Sequence, residues 1–325
     1  MSIYAAEFSE LQAQSLSFQN KDWELVCDNT LTCRAAGYHS EESGSFPVSM
    51  LIERKAGPNT PARLSIQLGS DGEPPGPINM TVGKIVVAKV TQLKSFEDKQ
   101  ARAVLPALLK NETAIVMADK HVWTLSLQGL RAVLLKMDDF QGRLNTPSAL
   151  VQRGKRPESS VKRAVAMPIV PTVLPIPAQP GDEALVERIF PSIDREDVMC
   201  NIDKEDIDAQ GFTVHRLTPR QLLLSFYCLS GAYNQTTFNW LTNDRPPFQP
   251  KKIEAEGEFD PAKGTIDHFH KGRGLADCVS TSTWHFTGTD FVLTKKSSDG
   301  MCRSFPGGAW GLLRYTALPI KAKKP

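Results

Sequence analysis

The chain lacks both the segments that would tie it to a membrane and the motifs that would name a reaction. No run of about 18 apolar residues occurs, so no spanning helix is expected. The formal net charge is only +2, which gives no electrostatic reason to expect nucleic acid as a partner. There is no G-x-S-x-G elbow, no H-E-x-x-H pair and no Walker loop. "GPINMTVGK" spaces its glycines too widely for a phosphate loop, and "GRGLAD" is not a dinucleotide fingerprint. The absence of any C-x-x-C pair argues against a structural zinc and a thioredoxin-like redox site. Neither a cofactor nor a metal is expected, and no internal repeat or solenoid period is visible.

What is present fits a globular protein. The 325 residues suffice for two domains, each burying its own core, and the 41% hydrophobic and 23% charged content is ordinary for that class. The six cysteines, Cys27, Cys33, Cys200, Cys228, Cys278 and Cys302, are informative. Between Cys27 and Cys33 lies "DNTLT", whose Asp28-Asn29 is good turn chemistry, and the flanks "WELVC" and "LTCRAAGY" alternate as strands do. This predicts a hairpin with a disulfide across its arms. By the same logic Cys200 pairs with Cys228 and Cys278 with Cys302; the alternative is a set of buried thiols in a cytosolic protein. Disulfides persist in oxidising compartments, so the chain is expected in the periplasm or outside the cell. The start is read the same way: "IYAA" resembles the small-residue end of a secretory signal, trimmed, with Met1 and Ser2 added ahead of it, and an ordinary native start is the alternative.

Short strand-like segments fill the region from Trp23 to about Val90, separated by Gly, Pro and Asn clusters. "EDKQARAVLPALLKN" predicts a short amphipathic helix, limited by Pro106. "ETAIVMADKHVWTLSL" predicts a hairpin. Leu127, Leu130, Val133, Leu134 and Met137 recur at helical spacing, with Ser126 placed to cap, and predict a helix near 126–140 packed on a sheet. Residues 153–180 then carry six prolines and five basic residues, which reads as a Pro-rich basic linker lying against a domain surface. A short helical stretch, "GDEALVERIF", and a series of strands follow. The expected architecture is mostly β (α+β): two antiparallel β-rich domains with a few short helices, disulfide-braced, at 1–152 and 181–325 on either side of that linker.

Several of these stretches together carry a resemblance. "DWELVCDNTLTCRAAGY", "LSLQGLRAVLLKMDDFQGRL", "CLSGAYNQTTFNW", "KGRGLADC", "STWHFTGTDFVL" and "CRSFPGGAW" resemble the bacterial domain of unknown function 1176 family over nearly the whole chain. The first half is also distantly similar to invasion-associated locus B proteins. The family resemblance implies an exported, disulfide-bonded, periplasmic protein of Gram-negative bacteria, and it brings no catalytic residues. Ala276 stands where the family pattern "GRGLGDC" has glycine.

Candidate functional residues are few. His268 and His270 share one face of a strand and could hold a metal with Asp267 or His285, although two outward polar side chains on a surface strand are the commoner arrangement. Asp138 and Asp139, adjacent on a helix, point in different directions and are expected to be solvated at its end. The most suggestive stretch is "HKGRGLADC", which projects Lys271 and Arg273 from a loop that two glycines let turn tightly. Arg303 and Trp310 join them if Cys278 bonds Cys302. Such a basic and aromatic loop suits a carboxylate or phosphate, a partner's cleft or a sugar face; the alternative is a structural turn with solvated charges and a core tryptophan. The expected function is a periplasmic binding protein whose partner is a protein or cell-envelope component, possible forms being an inhibitor of, or immunity protein against, a cell-wall-active or secreted enzyme. An envelope enzyme acting on cell wall or sugar, and a non-catalytic envelope structural or stress factor, are the alternatives.

Overall fold

A computed structural model describes residues 15–43, 46–69, 77–194 and 211–322. The chain divides into two compact units. The first is Met1–Met167 with Leu275–Val279 and Ser297–Thr316; the second is Pro168–Gly274 with Ser280–Lys296 and Ala317–Pro325. The division falls inside the Pro-rich stretch, and the late segments of the chain return to the first unit. No helix among the described residues is long and apolar enough to cross a membrane.

In the first unit, β1 (Leu16–Asn20), β2 (Trp23–Cys27), β3 (Cys33–Tyr38), β4 (Val48–Arg54) and β5 (Ala62–Leu68) form an antiparallel meander. After β6 (Ile78–Val82), β7 (Ile85–Val90) and α1 (Asp98–Leu108) come β8 (Thr113–Ala118) and β9 (His121–Ser126), the expected hairpin. These four strands make a second sheet in the order β7-β6-β8-β9. All five residues of β2 are buried, because both faces of its sheet are covered. Trp23, Leu25 and Cys27 face the main core, which the second sheet, α1 and α2 (Leu130–Phe140) also fill. Val26 faces the other way, against Ala36, Tyr38 and the returning Phe305, Ala309 and Leu312. Each fully buried side chain of this size contributes roughly 1.5–3 kcal/mol. Trp23 lies directly across from Gly37, and a Cβ there would fall 2.0 Å from the indole.

The helices differ in detail from the sequence reading. The capping box of α1 has the Glu97 N–H donating to Gln100 Oε1 at 2.9 Å, and Pro106 is tolerated inside the helix near its end. The second helix starts at Leu130 rather than near 126. Ser126 ends β9, and its hydroxyl accepts from Gln128 N instead of capping the helix. Gly129 supplies the positive φ of 97° at the start, where a Cβ would fall 1.9 Å from Asn20 O. Asp138 corrects the expectation of solvation. It is fully buried: Oδ2 accepts from Leu150 N at 2.7 Å and Val151 N at 3.0 Å, and Oδ1 is 3.4 Å from Arg54. The adjacent Asp139 is exposed.

The second unit begins with β10 (Ile169–Thr172) and α3 (Leu185–Ile189). β11 (Phe212–Arg216), β12 (Gln221–Ser230), β13 (Gln235–Asn243) and the short β14 (Lys251–Lys252) form one antiparallel sheet. β15 (Glu258–Asp260), β16 (Thr265–Lys271), β17 (Val279–Phe286) and β18 (Phe291–Ser298) lie in order in another. β19 (Leu312–Thr316), which follows β18 in that order, and the ends of β17 and β18 at Val279 and Ser297–Ser298 belong to the first unit. β20 (Leu318–Lys321) pairs in parallel with β10, so part of the Pro-rich stretch is a strand. The near-continuous apolar run of β12 has a physical reason. Leu222, Leu224 and Phe226 pack with Val186 and Ile189 of α3, while Leu223 packs with Ile266, Phe286 and Phe291 of the other sheet. A strand buried on both faces loses the alternation seen at a solvent face.

The disulfides brace this frame. Cys27 and Cys33 occupy opposed positions of β2 and β3, with Cα atoms 4.0 Å apart. Between them Asp28 Oδ1 accepts from Thr30 N at 2.8 Å, and Asp28 Oδ2 is 2.8 Å from Arg34. Cys278 bonds Cys302 across 24 positions, a loop whose closure is worth roughly 3 kcal/mol in the chain-entropy model. Cys228 is also disulfide-bonded, and Cys200 lies outside the described residues, as does the small-residue start of the chain.

Candidate functional site

The four residues singled out by sequence fall in two units. Arg303 and Trp310 belong to the first and serve its packing. Arg303 is buried, 3.1 Å from Asp22, and donates to His39 O at 3.3 Å. The Trp310 indole N–H donates to Ser49 Oγ at 2.7 Å, and its ring packs on the cluster around Val26 and Tyr38. Beside them Glu24 Oε1 accepts from Tyr38 Oη at 2.9 Å and Met301 N at 2.7 Å. Burial pushes the Glu24 carboxyl above its ordinary value against both donors, and pushes the Tyr38 phenol well up. These perturbed groups anchor the return of the chain onto β2 and β3.

Lys271 and Arg273 belong to the second unit. Lys271 ends β16, with its amine 5.9 Å from the centroid of the Phe269 ring. Asn234, in the turn between β12 and β13, clamps the same residue: its Nδ2 donates to Lys271 O at 2.9 Å, and its Oδ1 accepts from Lys271 N at 2.7 Å. A Cβ added at Gly274 would come within 3.7 Å of the neighbouring Tyr233 ring. "GAYNQ" and "HKGRG", remote in sequence, thus meet. Arg273 is exposed beside them. Neither glycine of this loop has a positive φ; Ala276, in the first unit, does, at 55°.

Next to this junction is a cleft of about 510 Å³, inside the usual range for small-ligand sites. Its lining includes Tyr233 from the turn between β12 and β13, Gln235 and Thr237 from the start of β13, and Glu258, Asp260, Asp267, Phe269 and Lys271 from β15 and β16. Two features hold its walls. Asn239 is fully buried and donates to Ala255 O at 2.7 Å and Gly257 O at 3.1 Å, fixing the turn that leads into β15. Gly257, with φ 122°, lets that turn touch β16, where a Cβ would fall 2.3 Å from Asp267 O.

The polar groups of the cleft are oriented. Asp267 accepts from Thr265 Oγ1 at 2.8 Å and Thr283 Oγ1 at 2.6 Å. Asp260 sits 2.7 Å from Lys263, whose ammonium holds the carboxyl below its usual range. Glu258 lies directly opposite Asp267 in the antiparallel register, a like-charge pairing that is locally unfavourable. Burial holds the His268 imidazole below its ordinary value. His268 and His270 stack with centroids 6.4 Å apart. Among the described residues neither joins a set of three potential ligands within 4.8 Å; the set that exists is Asp277, Cys278 and Cys302, whose cysteines are disulfide-bonded. Sequence reasoning found Lys271 but missed Tyr233, Gln235, Glu258, Asp260 and Phe269. The signal for Tyr233 was its turn motif; the cleft carboxylates look in sequence like ordinary exposed strand residues.

Fold and cleft define a disulfide-braced, β-rich protein of two units. Residues 17–317 match the family described as "Protein of unknown function (DUF1176)", and the chain belongs to that family. The resemblance read from its Trp, Cys and Gly motifs is borne out. The chain is similar to "Uncharacterized protein YpfG" of Escherichia coli (strain K12), 26% identical over 332 residues, 91% of each chain. Among solved structures, the crystal structure of invasion associated protein B from Bartonella henselae is similar over 39% of this chain and 99% of that one, at 14% identity and a TM-score of 0.30.

Proposed function

We propose that the protein is an exported, periplasmic binding protein, and that it associates non-covalently with a cell-envelope component or protein through the cleft of its second unit. The observation that carries this reading is the junction at the cleft, where the Asn234 clamp fixes the Lys271 backbone beside a row of oriented polar side chains. Disulfide bonding at Cys27, Cys33, Cys228, Cys278 and Cys302 supports an oxidising compartment, which in a Gram-negative bacterium is the periplasm. The carboxylates of the cleft disfavour a polyanion such as nucleic acid. An inhibitor or immunity protein against a cell-wall-active or secreted enzyme is one form of the reading. In it, the boundary at 153–180 separates a domain that comprises 1–152 and takes back 275–279 and 297–316 from the binding domain made by the rest of 181–325.

One observation favours a second reading, an envelope enzyme. Glu258 and Asp267 are cross-strand neighbours in the cleft, and a pair of carboxylates is the machinery of sugar hydrolysis. That reading needs one carboxyl raised to act as an acid, whereas Asp260 beside them is lowered. The test is retention of solubilised envelope fractions on immobilised, oxidised protein, comparing wild type with Lys271→Ala/Arg273→Ala. Stoichiometric retention of a component, reduced at least tenfold in the double variant, is expected. Equal retention by both proteins, or steady conversion of the bound material, refutes the binding reading.

A further inference from the structure

We infer that the occupant of this cleft is a neutral or N-acylated sugar chain, an inference that rests on the binding reading above. Two half-exposed rings line the cleft, Tyr233 at 47% and Phe269 at 52% exposure. Flat aromatic faces left in water at a concave site suit the C–H face of a pyranose, which is apolar on its faces and wet at its edges. The backbone that carries the Tyr233 ring is held by the clamp at the adjacent Asn234, so less freedom is lost on stacking than from a free loop.

The polar walls complement hydroxyls rather than charges. Sugar hydroxyls are donors, and the cleft is rich in acceptors: Glu258, Asp267 and the Gln235 amide oxygen. Asp267 already accepts one bond on each oxygen, from Thr265 and Thr283, and a carboxylate with about four acceptor sites keeps capacity for more. A strongly anionic ligand would meet these carboxylates, and a strongly cationic one would meet the Lys271 amine, which already sits over Phe269. Lys271 can instead take the single carboxylate of an acidic sugar substituent. A peptide strand would need an open row of main-chain groups, yet around Thr237 and Asn239 the facing edge of β13 is taken by Gly257 N donating to Thr237 O and Ile253 N donating to Asn239 O.

Envelope glycans of this chemistry come from the cell wall or from the neutral outer-core hexoses of lipopolysaccharide, and the experiment separates them. The full oxidised chain is titrated with an N-acetylglucosamine tetramer and, in a second arm, with a neutral outer-core hexose oligosaccharide freed of phosphate and acidic sugars, by calorimetry. Saturable binding in either arm is expected, and the arm that binds names the source. Tyr233→Ala and Phe269→Ala should each weaken it at least tenfold. Tyr227→Ala, equally exposed in the same unit but outside the cleft lining, should bind like wild type, which guards against a general loss of fold. No binding in either arm at millimolar sugar, or equal binding by the Tyr233 and Phe269 variants, overturns the inference. If envelope material is still retained in a Lys271- and Arg273-dependent way after its glycans are digested, the sugar assignment falls while the binding reading stands.

Discussion

Replacing Asp138 with alanine isolates the interaction that ties α2 to the segment after it. In the native first unit the carboxylate accepts from Leu150 N and Val151 N and lies against Arg54, which is only 3% exposed. The variant removes one partner of a buried pair and leaves a guanidinium and two amide groups to be resolved. Breaking a buried pair costs about 3–5 kcal/mol, and each orphaned donor about 1–3. These terms overlap, because Arg54 keeps its bond to Ser148 O and water can enter, so a net loss of about 4 kcal/mol is expected. Asp139→Ala is the control. Its carboxylate is 55% exposed and only 3.5 Å from Lys136, an interaction worth less than about 0.5 kcal/mol. Urea unfolding followed by tryptophan fluorescence, to which the buried Trp23 and Trp123 of the first unit contribute, reads both variants. Midpoints that fall equally for the two would refute the claim that Asp138 is a buried clamp.

Other expectations are smaller. Ala276 holds a positive φ of 55°, which costs a non-glycine residue roughly 1–2 kcal/mol. Ala276→Gly should therefore stabilise by roughly 0.5–1 kcal/mol after the added freedom of the unfolded chain is subtracted, seen as a higher melting temperature; a lower one would contradict it. In the second unit the Asp182 carboxyl accepts from Arg216 Nη2 at 2.6 Å and is thereby held below its usual 3.8, with Gln179 N assisting against burial. A lowered native pKa means that the unfolded chain takes up its proton first as pH falls. The contribution is complete above about pH 4 and is lost as pH falls through the native value. The stability difference between wild type and Asp182→Asn should shrink on acidification within that window, and a constant difference would contradict this.

The elements that were legible in the sequence are those governed by local chemistry. The Cys27–Cys33 hairpin was readable because Asp28-Asn29 is a turn and the cysteines face each other across it. The β8–β9 hairpin and α1 were readable from alternation and from Pro106. Ala276 was noticed as a departure from a glycine pattern, and its φ gives the reason glycine is favoured there. What was not legible depends on what covers a surface. Glu24 and Asp138 look like exposed residues until the returning segment around Met301 and the residues at 150–151 are placed over them. Arg303 carries the same basic, polar signature as Lys271, yet Asp22 and His39 O enclose it. The cleft is assembled from the start of β13 and from β15 and β16, and no local pattern announces that Tyr233 and Asp267 line one cavity.

The most direct test of the account is hydrogen–deuterium exchange of the oxidised chain, alone and saturated with the envelope component that it retains. Binding through the cleft gives added protection at 233–237 and 257–271, with exchange around 301–310 unchanged. Protection centred on 301–310, or none at 233–237 and 257–271, would contradict it.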